Sequence, residues 1–236
     1  MKKQIPNILT CFNLISGCIS IVMALRGNLE MASLLIFSAA FFDFLDGFAA
    51  RMLKVQSPMG VDMDSLADIV SFGTAPAMIL FVWMEQALRN LSPEIESMFL
   101  VSILPYFAFI VPAFSALRLA NFNHDERQHT EFIGLPTPAN ALFLGFLHFS
   151  SDELSFVANF WVLLALTIIF SFLLIVNIPM FSLKFKNFKI KGNEIKYIFL
   201  LISLILLIIF KLGAFPIIIL TYILLSLGIF VIKKII

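Results

Sequence analysis

Charge is scarce in this chain. Asp, Glu, Lys and Arg make up 13% of its 236 residues, against about 25% in a soluble domain. Hydrophobic residues reach 61% and mean hydropathy is +1.01, which excludes an ordinary water-soluble fold. Cysteine is nearly absent. Cys11 and Cys18 stand seven apart in one apolar run, too far along a helix for a disulfide, so a disulfide framework is excluded and the two read as packing residues. His124, His129 and His148 are the only histidines, and none has a zinc-type spacing to Cys or a carboxylate. The net charge of +1 gives no basis for nucleic-acid binding. What is abundant is phenylalanine, 28 residues, read as lipid-facing and packing material.

Long apolar runs fill the chain. About 20 apolar residues cross a bilayer core as a helix. Eight segments qualify: about Ile8–Leu25, Met31–Ala50, Leu66–Ala87, Met98–Leu119, Pro138–Ser150, Phe156–Ile178, Tyr197–Phe210 and Ala214–Ile232. The opening MKKQIPNILT precedes a run that holds Asn13, Ser16 and Gly17 and has no small-residue cleavage site, so it reads as a retained first helix rather than a signal peptide. The fold class is therefore an all-α polytopic transmembrane bundle. Six core helices read as one domain over 1–183, followed by a basic linker over 184–196 and a helical hairpin over 197–236.

Eight spans put both termini on one side. Thirteen of the sixteen Lys and Arg residues fall on that side, and only Arg26, Arg89 and Lys211 fall on the other. The positive-inside rule makes the N-terminal side cytoplasmic. The lysine-rich run 184–196 reads as a solvated loop or a segment resting on anionic lipid.

The few acids are concentrated in DFLDGFAARMLKVQSPMGVDMDSLAD, residues 43–68. Charge in a membrane segment is costly and marks function. Asp43 and Asp46 share a helix face, as do Asp64 and Asp68. Lys54, Ser57, Pro58 and Gly60 supply turn chemistry between them, so the two helices read as antiparallel neighbours with converging carboxylates. Such a cluster suits a hard divalent cation with oxygen ligands. Gly47 and Ala50 leave one face bare, and Arg51 offers a fork for phosphate. Together these point to pyrophosphate handling. A cation path through a transporter is the rival reading of the same acids. Asp62 falls outside the spacing and reads as structural or solvated.

The spacing D-x2-D-G-x2-A-R-x8-G-x3-D-x3-D is met by Asp43, Asp46, Gly47, Ala50, Arg51, Gly60, Asp64 and Asp68. It resembles the signature of the CDP-alcohol phosphotransferases, membrane enzymes that join an alcohol to a CDP-linked partner and release CMP. The resemblance implies two divalent cations, Mg²⁺ or Mn²⁺. Asp43, Asp46 and Asp64 would hold one; Asp43, Asp64 and Asp68 would hold the other. Asp68 would be the general base. Gly47, Ala50, Arg51 and Gly60 would contact the CDP part, with Asn7 and Thr10 beside the nucleotide.

Two further stretches, ALRLANFN (116–123) and FIGLPTPANA (132–141), together with the opening IPNILTCFNLISG (5–17), resemble the integral-membrane phosphatidylserine synthase branch of that family. Asn121 departs from the arginine expected there. Arg118 reads either as an arginine snorkelling to headgroups or as a cation for a carboxylate or lipid phosphate. By the resemblance, Arg118, Gly134, Thr137 and Asn140 would bind L-serine, and CDP-diacylglycerol would be the donor. The other acceptors in the family, glycerol 3-phosphate or an inositol phosphate, are the alternative. The resemblance further implies membrane lipid as surroundings, a homodimer, and an active site facing the cytoplasm of a prokaryotic inner membrane.

Overall fold

In the computed structural model the described residues are 4–55, 57–91, 98–124, 132–150, 154–181, 189–190 and 192–235. Arg127, His129 and part of the expected linker (184–188 and 191) lie outside them. Among the described residues the chain forms eight helical rods. Helix α1 is Gln4–Leu25 and α2 is Leu29–Leu53. The third rod is α3 (Pro58–Asp68), a π-helical turn (Ile69–Thr74) and α4 (Ala75–Leu88). The fourth is α5 (Phe99–Ile103), a 3-10 segment at Leu104–Phe109 and α6 (Ile110–His124). Then come a two-residue strand β1 (Phe132–Ile133), α7 (Thr137–Phe146) extended by 3-10 turns to Ser150, and α8 (Phe160–Ile175). Strand β2 (Pro179–Met180), α9 (Glu194–Phe210) and α10 (Ala214–Ile235) complete the fold.

Among the described residues five stretches are long and apolar enough to cross a membrane, with Glu194–Val231 counted as one. The protein is an integral-membrane helical bundle. The stretch Glu194–Val231 is interrupted at Lys211, whose φ of 49° and ψ of −122° leave the helical region. Beyond it the chain folds back, since the Phe199 and Tyr222 rings lie 5.9 Å apart. Helices α9 and α10 thus lie side by side, and Phe215 of α10 packs on Phe146 of α7 at 4.5 Å between ring centres.

Local chemistry explains the helix ends. Gly27, at a φ of +77°, breaks the chain after α1. Asn28 then caps α2, its side chain accepting from the Met31 amide at 3.0 Å. Lys54 closes α2 in the left-handed region, its N–H reaching the Ala50 and Arg51 carbonyls. Ser57 accepts from the Gly60 amide at 3.1 Å, with Pro58 in the first turn of α3. That helix thus begins at Pro58 and not near Leu66. Apolarity marks where lipid begins, whereas the cap and proline mark where the helix begins.

Polarity in α1 is arranged inside-out. Thr10, Asn13, Ser16 and Ser20 are buried, while Ile8, Phe12, Ile15 and Ile19 are exposed. Cys11 and Cys18 also lie on the exposed face, so they meet lipid and are not packing residues. Lipid removes the hydrophobic drive for helix pairing, so small residues and hydrogen bonds carry the contacts. Ser20 donates to the Ala32 carbonyl of α2 at 2.7 Å, and Ser71 of the π turn donates to the Asn13 carbonyl at 3.0 Å. The apolar core lies deeper, where Leu80, Met84, Phe143, Leu144, Phe160 and Leu163 are buried together. Phe143 stacks on Phe170 with ring centres 3.6 Å apart.

Gly17 sits at a close helix approach. A Cβ there would lie 2.7 Å from the Ser71 Cα, which is backbone. Gly17→Ala is expected to destabilise the protein by about 1–3 kcal/mol through overpacking, read as a lower melting temperature in detergent. Gly228→Ala, where nothing lies within 4 Å of the added carbon, should leave the melting temperature unchanged. Equal melting of both variants would refute the packing account.

Candidate active site

Helix α1 packs against both α2 and α3, while the backbones of α2 and α3 stay largely apart. The two acid-bearing helices therefore meet through their carboxylates more than through their backbones. Oxygens of Asp43, Asp64 and Asp68 lie within 4.8 Å of one another. Asp43 and Asp64 meet at hydrogen-bonding distance, and Asp46 interacts electrostatically with Asp64. Asp43, Asp64 and Asp68 therefore form one cluster, with Asp46 one helical turn from Asp43. Asp62 is exposed and takes no part in it.

Helix α1 orients two of the acids. The Thr10 hydroxyl donates to Asp46 Oδ2 at 2.7 Å. The Asn13 amide donates to Asp68 Oδ1 at 3.1 Å, and Ser71 holds the Asn13 carbonyl in turn. Thr10 was expected beside the nucleotide; its hydroxyl is engaged by a carboxylate. Asn7 sits over Gly60, its Oδ1 3.5 Å from where a Gly60 Cβ would be. The Arg51 guanidinium lies along Gly47, with a nitrogen 3.5 Å from a Cβ built there. Ala50 is half-buried beside it.

Four carboxylates cannot share this space as free anions. Asp64 Oδ1 is buried and accepts no hydrogen bond. Paired acids at hydrogen-bonding distance need a proton or a cation between them. Hard oxygen donors crowded in this way fit a divalent ion, so the residues present suit the expected metals.

A second polar group adjoins the first. Arg118 of α6 is 6% exposed, so it does not snorkel to the surface. Its Nη1 donates to Thr137 Oγ1 at 3.2 Å, and the guanidinium lies over the Phe122 ring at 5.8 Å. Its Nε is buried without a partner. Asn140, one turn beyond Thr137, is fully buried and neither end of its amide is bonded. Ser115, one turn before Arg118, is likewise buried with an unpartnered hydroxyl. Unmet polar atoms in an apolar interior are costly, so three of them around one arginine mark a place for a polar ligand. Helix α6 packs on the π turn that directly follows Asp68, which sets this group on the side of the carboxylates. Gly134 stands apart from it in the loop before Thr137, pressed against the Leu174 carbonyl. Asn121 is exposed, and Asn123 ties α6 to α3 by donating to Ser65 Oγ at 2.8 Å.

Sequence reasoning singled out neither Asn13, Ser71 nor Ser115 as site residues. A signal existed for Asn13: Thr10, Asn13, Gly17 and Ser20 repeat at helical spacing in an otherwise apolar run. Ser115 sits one turn from Arg118, but spacing by itself does not separate it from other helix serines.

The fold and this cluster define a membrane-embedded helical protein with a carboxylate site suited to divalent cations. Residues 3–173 match the family model described as CDP-alcohol phosphatidyltransferase, and the chain belongs to that family. It is similar to the CDP-diacylglycerol–serine O-phosphatidyltransferase of Bacillus subtilis, 34% identical over 152 residues, covering 64% of this chain and 79% of that protein. The protein of the same name from Helicobacter pylori is 29% identical over 203 residues, covering 84% and 79%. The archaetidylserine synthase of Methanothermobacter thermautotrophicus is 32% identical over 141 residues, covering 58% and 54%. The chain is thus an integral-membrane enzyme of phospholipid biosynthesis, of a family that is generally divalent-metal dependent.

Proposed function

We propose that the protein transfers the phosphatidyl group of CDP-diacylglycerol to the hydroxyl of L-serine, giving phosphatidylserine and CMP. The observation that carries this reading is the buried Arg118–Thr137–Asn140 group beside the carboxylate cluster. The acceptor has a carboxylate, an ammonium and a hydroxyl. The Arg118 guanidinium pairs with the carboxylate, and the unbonded Asn140 amide and Ser115 hydroxyl supply further polar contacts. Three similar proteins named for a serine product or acceptor support the choice. A phosphate-bearing acceptor calls for several cations, and Arg118 is the buried cation of this pocket.

Asp43, Asp46 and Asp64 would hold one divalent cation and Asp43, Asp64 and Asp68 a second, Mg²⁺ or Mn²⁺. Ions held there would supply the positive charge that the pyrophosphate and the leaving CMP need. Arg51, with Gly47 and Ala50 leaving its face uncrowded, binds the diphosphate, and Gly60 and Asn7 flank the nucleotide. Thr10 orients Asp46. Asn13 engages Asp68 Oδ1, so Oδ2 takes the proton of the serine hydroxyl. The serine oxygen forms a bond to the phosphorus that carries diacylglycerol. The bond from that phosphorus to the bridging oxygen breaks, and CMP leaves with its electron pair. The site faces the cytoplasm, as the distribution of Lys and Arg argues. The acyl chains then remain in the inner leaflet, and two copies of the chain form a homodimer.

The test is CMP release by purified protein in detergent, with CDP-diacylglycerol, Mg²⁺ or Mn²⁺, and one acceptor at a time. CMP is expected with serine and is expected to vanish with EDTA and return with excess metal. CMP with glycerol 3-phosphate or an inositol phosphate instead would discard the serine reading and keep the metal site. Undiminished release in EDTA would discard the metal site.

A further inference from the structure

Tyr222 belongs to α10, beyond the residues that match the family. It is 6% exposed, and its hydroxyl donates to the Phe181 carbonyl at 3.0 Å. Its ring packs on Phe181 at 4.9 Å, and Phe199 of α9 closes the triangle at 5.9 Å from Tyr222 and 5.8 Å from Phe181. The C-terminal hairpin thus grips the residue that follows β2.

Strand β2 leads directly to the polar pocket. Met180 pairs with Phe132 and Pro179 with Ile133 in an antiparallel register. The Gly134 amide donates to the Ile178 carbonyl and the Leu135 amide to the Leu173 carbonyl, both at 2.9 Å. Gly134 has a φ of +77°, and a Cβ there would lie 2.6 Å from the Leu174 carbonyl oxygen, so the turn has no slack. Thr137, three residues on, receives the Arg118 guanidinium. A two-residue strand pair is too short to hold its own geometry. A carbonyl in an apolar setting also needs its donor. Both requirements are met from α10.

We propose that the C-terminal helical pair is a positioning element of the acceptor pocket, with Tyr222 as its positioning residue. Tyr222 fixes the Phe181 carbonyl and through it the β1–β2 pair. The Gly134–Pro136 turn is thereby held against α8, and Thr137 and Asn140 stay in register with Arg118. This rests on reading Arg118, Thr137 and Asn140 as the acceptor site.

The test is steady-state CMP release by the full-length Tyr222→Phe protein, which keeps the aromatic wedge and loses the hydroxyl. KM for the acceptor is expected to rise about fivefold, the worth of one hydrogen bond. KM for CDP-diacylglycerol, kcat at saturating acceptor and the melting temperature are expected to match wild type. An unchanged acceptor KM would overturn the proposal. So would a fall in kcat or melting temperature with both KM values moving together, since that is the mark of a merely structural tyrosine. Tyr222→Ala, which also removes the wedge, should raise acceptor KM further; an acceptor KM equal to wild type there would overturn it as well. Wild-type protein is assayed first. CMP release with a hydroxyl acceptor other than serine would discard serine and leave Tyr222→Phe to be read on that acceptor's KM. No release with any acceptor would overturn both readings.

Discussion

Asp68→Asn is expected to lower kcat for CMP release about a thousandfold, within the range of a lost general base. The change is isosteric. The Asn13 amide, 3.1 Å from Asp68 Oδ1, still finds an oxygen to donate to, so the helix contacts survive. What disappears is a carboxylate able to take the hydroxyl proton. One of the crowded negative charges is also removed, so the metal-free variant should melt no lower than wild type. The measurement is kcat with serine and Mg²⁺ or Mn²⁺ each raised to saturation, beside a melting curve in EDTA. Full activity would sink the assignment of Asp68 as base. Recovery of wild-type kcat merely by raising the metal concentration would reduce Asp68 to a ligand. Asp43→Asn and Asp64→Asn should also abolish activity, because their oxygens share the same 4.8 Å cluster.

Arg118→Ala is expected to raise KM for serine about 10–100-fold, the range for a lost hydrogen bond to a charged group. KM for CDP-diacylglycerol should stay where it is. Arg118 is buried and its only side-chain neighbour by hydrogen bond among the described residues is Thr137, a neutral group that does not balance a cation. A buried guanidinium so lightly satisfied is suited to an arriving carboxylate. Arg118→Lys should restore little, since a lysine lacks the planar fork. The assay is initial CMP release over a serine titration at fixed saturating CDP-diacylglycerol. An unchanged serine KM would refute the carboxylate role. A parallel loss of donor affinity would move Arg118 to the CDP-diacylglycerol site.

Much of this was legible in one dimension. Apolar runs of bilayer length dictated an all-α membrane bundle, because a span must satisfy its backbone internally. The spacing of Asp43, Asp46, Asp64 and Asp68 dictated shared helix faces, because helical periodicity is local. The break at Lys211-Leu212-Gly213 separated two C-terminal helices. Signals of this kind depend on neighbours in sequence, and sequence carries them directly.

Other features depended on which helices meet. That α1 lies against both acid-bearing helices, with Thr10 on Asp46 and Asn13 on Asp68, needs contacts across 36 and 55 positions. The fate of Cys11 and Cys18 turned on which side of α1 faces lipid, and an apolar helix in a bilayer can bury either side. Arg118 looked free to snorkel until α7 brought Thr137 to its guanidinium. The link from Tyr222 to the Gly134 turn runs through a two-residue strand pair that no periodicity announces. Helix content and motif spacing are fixed by local sterics and solvent. Which polar groups become partners is decided only when packing selects the faces that meet.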